Sequence, residues 1–322
     1  MKTFARFRNL TPYSIGIVKG RPFKTLLMLA QDPEHAERLE GYLATDPSGG
    51  RRDSIGLQML GGQLLRDLDG TGVMFMLRLS KRNLPARVIA DRVAEMSAEV
   101  ERETGRKPGR KERNAMAEDA ELELLPRAFI SHTYVPVIFT KDNRLFVFTG
   151  TRSKTDLIIT FLVHMLVELR VEFTITALAS TIEASIETWM TSKALGVADD
   201  EGVIQATNFA VMKADETSKI RVSDRNLAFK EVQTALNSGY RVSQIGLQHT
   251  TSQIGFRLDG ELVLRSITLG EDTAMEMREN ASDGDFDEVY AVAWLVCTEM
   301  RNIMDALVKD IRSSNEDEDD EL

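Results

Sequence analysis

One segment of the chain limits its fold most strongly, because its pattern is typical of a single local structure. In TTSQIGFRL-DG-ELVLRSITL, two runs that alternate apolar and polar residues flank Asp259-Gly260. Such a pattern predicts an antiparallel hairpin with a type I′ turn. A second hairpin is predicted in TYVPVIFT-KDN-RLFVFTG, where Lys141-Asp142-Asn143 form the turn. Helical patterns lie between these hairpins in no regular strand–helix order, which predicts a mixed α+β fold with mostly antiparallel sheets.

The region before the middle of the chain predicts two consecutive helices separated by a basic turn. Pro85 opens the first helix, and its apolar face repeats every three or four residues, at Ile89, Val93, Met96 and Val100. Gly105 and Pro108-Gly109 interrupt this pattern. The second helix is expected to run roughly from Glu112 to Leu125.

Shorter patterns predict the remaining elements. Strands are expected at Thr3–Leu10, Ser54–Leu60, Gly72–Leu79, Glu172–Leu178, Thr207–Ala214 and Lys219–Ser223. Helices are expected at Phe23–Leu43, Lys154–Arg170 with Ser153 as N-cap, Thr181–Leu195, Asn226–Asn237 and Phe286–Arg312. Residues 1–312 are interpreted as one α+β chain, with an N-terminal and central part (about 1–170) and a C-terminal part (about 171–312). Residues 313–322 are expected to form a disordered acidic tail.

Charge is distributed unevenly along the chain. The net charge is −10, which by itself argues against a nucleic-acid-binding protein. The acidic excess, however, lies in residues 271–288 and in Glu316–Glu321, whereas residues 78–113 carry eleven basic and six acidic side chains. The densest basic segment is Arg106–Arg113, RKPGRKER. Such polarity is typical of an anion-binding surface, although a basic turn taken alone is more often simply solvated.

The sequence contains no recognisable catalytic constellation, so no enzyme activity, cofactor or metal is predicted. The four histidines are scattered, GTRSKT at Gly150–Thr155 lacks the spacing of a phosphate loop, and DGDFDE at Asp283–Glu288 lacks EF-hand spacing. Cys297 is the only cysteine and is expected to be buried. The longest apolar run, Leu157–Val167, is shorter than the roughly 20 residues of a membrane helix, and no signal peptide is visible. These features predict a cytoplasmic protein with no membrane partner.

The segment LPRAFISHTYVP allows two interpretations. Arg127 and Phe129 lie two residues apart where a predicted helix ends and a strand begins. If the backbone is extended there, both side chains project from one face, and a guanidinium beside an exposed ring can contact phosphate and bases. Alternatively, Phe129 begins the buried side of the strand and Arg127 is a cation at the helix end. The residues by themselves favour the second interpretation.

The order of several segments resembles the RdgC family of recombination-associated proteins. The most specific is RVIADRVAEMSAEVERETGRKPGRKERNAMAEDAELELLPRAF, and FRNLTPY, GVMFMLRLSKRNLP, KDNRLFVFTGTRSKTDLIITFL and SKIRVSDRNLAF support it. The resemblance implies a non-enzymatic, nucleoid-associated protein. It also implies a ring-shaped homodimer that encloses duplex DNA with little sequence preference, with single-stranded DNA as a further ligand. Such a protein restrains strand exchange by RecA-type recombinases.

The resemblance also assigns roles to individual residues. Arg106 and Arg127 match family positions implicated in DNA contact, and Phe129 matches the aromatic residue proposed to insert at the bases and bend the duplex. Asp224-Arg225 stands where the family can carry Lys-Gln, so Arg225 is a further candidate contact. Residues 81–113 are expected to line the hole of the ring, with Lys81, Arg82, Lys107, Arg110 and Lys111 as additional basic contacts.

Two alternatives to this interpretation concern the acidic C-terminal region. In the first, the protein is an adaptor that binds a basic partner through these acids, and its DNA binding is secondary. In the second, the same acids hold a metal ion for a nuclease. The first predicts a weak dependence of DNA binding on salt, and the second predicts DNA cleavage with Mg²⁺.

Overall fold

In the computed structural model, helices and mostly antiparallel sheets are mixed, which confirms the predicted α+β class. The structure describes residues 4–31, 37–178, 196–198, 203–215, 217–223, 230–272 and 285–319, with the single positions Ile182, Ile186, Trp189 and Met275. The predicted helix Thr181–Leu195 lies almost wholly outside these residues. Asp283-Gly284, within the acidic cluster, also lies outside them.

The first sheet has seven strands. They are β1 (Thr11–Lys19), β2 (Asp53–Gln58), β3 (Leu65–Asp67), β4 (Gly72–Asn83), β5 (Phe129–Thr140), β6 (Arg144–Val147) and β7 (Glu172–Ala177). Their order is β2-β4-β5-β6-β1-β7, and β3 pairs with β4. The hairpin of β5 and β6 confirms the one predicted around Lys141-Asp142-Asn143, and Asn143 has the positive φ (59°) that such a tight turn requires.

The second sheet has six strands from the C-terminal half of the chain. They are β8 (Gly196–Ala198), β9 (Val203–Lys213), β10 (Lys219–Ser223), β11 (Arg241–His249), β12 (Gly255–Asp259) and β13 (Leu264–Thr268). The order is β10-β9-β11-β12-β13, with β8 beside β9, and every pairing in this sheet is antiparallel.

Six α-helices accompany the sheets in the described part of the chain. They are α1 (Pro22–Gln31), α2 (Ala86–Thr104), α3 (Arg110–Leu124), α4 (Arg152–Glu168), α5 (Lys230–Asn237) and α6 (Asp285–Asp319), and short 3-10 turns lie at Phe4–Phe7, Glu37–Tyr42 and Leu125–Arg127. The long helix α6 contributes Val292, Val296, Met300, Ile303 and Leu307 to the core, a spacing that places them on one face. Cys297 is fully buried on this helix, as predicted, and burial raises the pKa of its thiol to about 11.

The chain divides into two compact units. The first comprises residues 1–38, 59–76 and 136–322, and the second comprises residues 39–58 and 77–135. The second unit contains the predicted pair of helices, α2 and α3. Few of their side chains are fully buried, since α2 contributes none and α3 contributes only Ala120. The apolar face predicted at Ile89, Val93, Met96 and Val100 is half-buried.

Several predicted boundaries were wrong. Residues Phe4–Phe7 form a 3-10 turn, not a strand. Phe7 is fully buried, with its ring 4.9 Å from that of Phe148. Helix α4 begins at Arg152 with Thr151 as N-cap, so Ser153 is not the cap. Helix α6 continues to Asp319, beyond its predicted end at Arg312.

The hairpin of β12 and β13 was predicted correctly, but its turn was not. The turn is longer than two residues, and Leu262, not Gly260, has the positive φ (58°). The Asp259 carboxylate accepts hydrogen bonds from the amides of Glu261 (3.2 Å) and Val263 (3.0 Å). It also pairs with Arg265 (2.9 Å). These contacts hold the wider turn, so the Asp-Gly pair acts through the aspartate side chain.

Candidate nucleic-acid interface

The turn between α2 and α3 presents basic side chains to solvent. Gly105 ends α2 in the left-handed conformation (φ 71°), and its amide donates to the carbonyl of Glu101. Pro108 is buried and anchors the turn, whereas Lys107, Arg110 and Lys111 are exposed. These three have no carboxylate partner among the residues that the structure describes. Their charges are therefore available to an anionic ligand.

Arg106, in the same turn, is already paired. Its two terminal nitrogens donate to the two carboxylate oxygens of Glu112 at 2.8 and 2.6 Å. Glu112 also accepts the amide of Gly109 at 2.8 Å, which caps the start of α3. The Arg106 guanidinium would have to leave Glu112, or share it, to contact a phosphate. This finding distinguishes Arg106 from its basic neighbours.

The pairing also sets the ionisation of Glu112. The hydrogen bonds from Arg106, the larger cause, and from the Gly109 amide lower the pKa of the carboxyl from 4.5 to about 2. Since the folded-state pKa lies below the ordinary value, the contribution of the pair to stability is present above pH 4.5 and is lost as the pH falls through about 2. At neutral pH Glu112 is therefore charged and competes with any other anion for Arg106.

Phe129 begins β5 with its ring in solvent. It is 89% exposed, the highest value among the large apolar side chains of the described residues. The interpretation of Phe129 as a core residue is therefore wrong. Arg127 is also exposed but lies in the 3-10 turn Leu125–Arg127, not in an extended segment. The premise that both residues project from one strand was incorrect, although the two exposed side chains remain separated only by Ala128.

Arg82 fixes the backbone that precedes Arg127 and Phe129 in the chain. Its guanidinium donates to the carbonyls of Leu125 (3.0 Å), Pro126 (2.8 Å) and Pro47 (2.7 Å). The Arg82 Nε is buried and has no partner within the described residues. The sequence interpretation placed Arg82 on the wall of a DNA-binding hole, but its terminal nitrogens are occupied by protein carbonyls. Arg82 is a residue that positions the turn before Arg127 and Phe129.

Sequence reasoning missed this role, although β4 contains a signal for it. In LRLSKRN, Arg78, Ser80 and Arg82 alternate with Leu77, Leu79 and Lys81, and therefore share one side of the strand. Ser80 is 2% exposed and its hydroxyl lies 2.9 Å from Nδ1 of His132. Arg78 donates to the carbonyl of Ala44 at 2.9 Å. A buried serine between two arginines thus indicates a polar packed face.

Two other sequence predictions have different outcomes. Lys81 is exposed, and its carbonyl accepts a weak hydrogen bond from the Ser131 hydroxyl (3.4 Å). Asp224-Arg225 lies outside the described residues. The structure therefore places Lys107, Arg110, Lys111, Arg127 and Phe129 on the surface of the second unit. DNA binding by these residues, and by Arg106, Lys81 and Arg225, stays a prediction.

The described ranges contain neither a metal-type cluster nor a membrane-type helix. No group of three or more histidine, cysteine, aspartate or glutamate side chains with metal-site geometry occurs within them. No helix in those ranges combines the length and hydropathy that a membrane span requires.

Comparison with known proteins supports the resemblance. Residues 60–313 match a family model described as "Putative exonuclease, RdgC". A recombination-associated protein RdgC from Halorhodospira halophila is 25% identical over 314 residues, which covers 94% of this chain and 96% of the relative. Another from Colwellia psychrerythraea is 26% identical over 224 residues, or 66% of this chain and 67% of the relative. A third from Shewanella loihica is 23% identical and covers 94% of this chain and 96% of its own length.

The family match extends over most of the chain and includes α2, the basic turn, α3 and the segment from Arg127 to Phe129. The named relatives share the same description, and two of them align along nearly the full length. The chain therefore belongs to the RdgC family.

Proposed function

We propose that this protein binds DNA without sequence preference, encloses the duplex as a ring-shaped homodimer, and so restrains strand exchange by a RecA-type recombinase in the nucleoid. The observation that carries the proposal is the exposure of the Phe129 ring (89%) beside Arg127, in a unit whose basic turn is solvated. The exposed Phe129 side chain lacks the stabilisation that burial of apolar surface gives, and stacking against a base can supply it.

Phosphate contact supplies most of the affinity in this account. Lys107, Arg110 and Lys111 are exposed and can neutralise phosphates, which releases condensed counterions and makes binding strongly salt-dependent. Phosphates are the same at every base pair, so contacts made through them carry no sequence information. Binding is therefore expected to be sequence-independent. Two-fold symmetry in a homodimer would double every contact.

The proposed activity is binding and not catalysis, and it is tested by following DNA and strand exchange together. Strand exchange by a RecA-type recombinase is expected to slow as this protein covers the duplex, equally for duplexes of unrelated sequence. Inhibition without duplex binding would contradict the proposal and support an adaptor that contacts another protein. A Mg²⁺-dependent activity that cleaves end-labelled duplex and co-purifies with the protein would contradict the non-enzymatic role.

The substitution Glu112→Gln is expected to tighten duplex binding at low salt. The glutamine side chain keeps an acceptor for the Gly109 amide but carries no charge, so Arg106 becomes available for phosphate. The salt dependence should steepen by roughly 0.9 per freed arginine, or about 2 in a homodimer. Fluorescence anisotropy of a labelled duplex at several salt concentrations measures both effects.

Glu118 provides the matched control, since it is exposed on the same helix and has no ion-pair partner within the described part of the chain. Glu118→Gln makes the same charge change and should alter affinity less than Glu112→Gln. Equal effects of the two variants would show that net charge alone matters, and the specific competition for Arg106 would be wrong.

A further inference from the structure

The end of β1 and the start of β7 form a two-stranded ribbon at the edge of the first sheet. Among the described residues, β6 pairs with β1 only from Thr11 to Ser14, whereas β7 stays beside β1 as far as Lys19. The four successive residues from Gly16 to Lys19 are all exposed. Since neighbouring residues of a strand point to opposite faces, both faces of the ribbon lie in solvent there.

Two aliphatic side chains occupy the end of this ribbon. Ile17 is 48% exposed and Val18 is 64% exposed. The pairing of β1 with β7 shifts register between Ile17 and Lys19, so Val18 is the extra residue of a bulge, which takes its side chain out of the regular ladder. A single exposed aliphatic residue is ordinary, whereas two neighbouring ones on a sheet edge favour contact with another apolar surface.

The C-terminal turn of α4 adjoins the ribbon and carries an arginine in an unusual conformation. A Cβ added at Gly20 would lie 3.4 Å from the carbonyl oxygen of Arg170. The amide of Arg170 donates to the carbonyl of Val167 and that of Val171 to the carbonyl of Leu166, both at 2.9 Å. This pattern is a Schellman motif, whose left-handed position is usually glycine. Arg170 occupies it with a φ of 62°, and such strain is kept mainly where the side chain has a use.

Four exposed cations lie in the ribbon, at the start of α1 and in this turn: Lys19, Arg21, Lys24 and Arg170. All except Lys19 lack a carboxylate partner within the described ranges. Lys19 lies 3.4 Å from Glu172 in an exposed pair, which contributes little in water. The adjoining Val167 is 51% exposed and adds a third aliphatic side chain. The four cations and the three aliphatic side chains are called the ribbon patch, and all of them belong to the first unit.

We propose that the ribbon patch binds the surface of a bilayer that contains anionic phospholipids. Ile17, Val18 and Val167 enter the boundary between headgroups and acyl chains, and the cations contact lipid phosphates. Aliphatic side chains gain from leaving water in this way, whereas a phosphate backbone alone offers them no apolar contact. The contact needs no membrane-spanning helix. It departs from the sequence-based expectation of no membrane partner, which rested on the lack of a spanning segment and of a signal peptide.

The test follows co-sedimentation of the full-length protein with vesicles, in the absence of DNA. Binding is expected with vesicles of phosphatidylcholine and phosphatidylglycerol, and it should fall strongly with phosphatidylcholine alone or at high salt. Val18→Asn should weaken binding on the order of tenfold, because the side chain no longer gains from leaving water. Leu157→Asn is the control, since Leu157 is 40% exposed on α4 outside the patch, and it should bind within about twofold of wild type.

Arg170→Gly separates membrane contact from a structural role at the end of α4. Glycine adopts the left-handed conformation without strain, so the urea midpoint of unfolding should not fall. Loss of one cation should nevertheless weaken vesicle binding about fivefold. Arg170→Lys keeps the charge and should bind as wild type does. Unchanged vesicle binding in both Arg170→Gly and Val18→Asn, or equal losses in Val18→Asn and Leu157→Asn, would overturn the proposal.

Duplex binding is measured in parallel, without lipid, to separate this inference from the proposed function. Val18→Asn and Arg170→Gly should bind the duplex as wild type does. If these variants lost affinity for the duplex and kept it for vesicles, the patch would contact DNA and the membrane proposal would be overturned. Wild-type protein that binds the duplex but does not sediment with anionic vesicles would also overturn it and leave the proposed function intact.

Discussion

Replacing Phe129 with alanine is expected to weaken duplex binding about tenfold while the folded protein stays as stable as before. The ring is 89% exposed, so its removal creates no cavity, and the free energy of unfolding should change by less than about 0.5 kcal/mol. The loss of affinity follows from the loss of contact with a base, which is worth about 1–3 kcal/mol for an aromatic side chain. Anisotropy with a labelled duplex and urea unfolding measure the two quantities.

Leu122→Ala is the matched control for this variant. Leu122 is a large apolar residue of the same unit and is 61% exposed on α3. Its replacement should change neither stability nor duplex affinity appreciably. If Phe129→Ala lowered the free energy of unfolding by about 3–5 kcal/mol, Phe129 would be a core residue and its proposed role would be wrong. Unchanged duplex affinity would contradict that role as well.

Replacing Arg82 with alanine is expected to destabilise the second unit by about 2 kcal/mol. Its guanidinium is the donor for three backbone carbonyls, and hydrogen bonds from a charged group contribute more than neutral ones. The turn at Leu125–Arg127 should then lose its fixed position, so duplex affinity should fall together with stability. Arg82→Lys should restore little, because one ammonium cannot reach carbonyls on both sides as the planar fork does.

Lys81→Ala is the control for Arg82→Ala, since Lys81 is adjacent and its side chain is exposed. It should leave the free energy of unfolding unchanged. If Arg82 instead contacts DNA directly, as the resemblance implies, Arg82→Ala should lower duplex affinity without changing the free energy of unfolding. Observation of that outcome in urea unfolding would show that Arg82 contacts DNA and that its bonds to the carbonyls matter little.

Much of the proposed binding surface was predictable because it depends on local sequence. Gly105 and Pro108-Gly109 separate the helices α2 and α3, and the basic side chains between them lie in solvent. The hydrogen-bond partners of individual arginines were less predictable. Arg106 and Arg82 look alike in the sequence, yet one pairs with Glu112 and the other binds three carbonyls. These partners are set by the turn geometry and by tertiary contacts with Pro47, which spacing along the chain does not encode.

Phe129 illustrates the limit of reasoning from patterns alone. An aromatic residue at the start of a strand is ordinarily buried, and only the resemblance to the RdgC family pointed to exposure. The structure decides in favour of exposure. What the ring touches there depends on a ligand, so neither the sequence nor the fold determines it.

The second sheet was predicted less completely than the helical pair. Strand β11 was missed, although it lies between β9 and β12. Its pairing with β9 shifts register between Val242 and Gln244 and again between Ile245 and Leu247. Each shift breaks the alternation of apolar and polar residues, so the period of two that identifies a strand is absent. The order of the strands in this sheet could therefore not be predicted from the sequence.

The salt dependence of duplex affinity decides whether this protein binds the duplex through its phosphates. Wild-type protein is compared with Lys107→Ala/Lys111→Ala and with the charge-matched control Arg21→Ala/Lys24→Ala, by anisotropy with duplexes of two unrelated sequences. A steep slope of log K against log salt is expected for wild type. In the turn variant the slope should be smaller by roughly 0.9 per lost contact, about 3.6 for a homodimer, equally for both sequences. A flat slope in wild type, or equal slopes in the two variants, would contradict duplex binding through the basic turn.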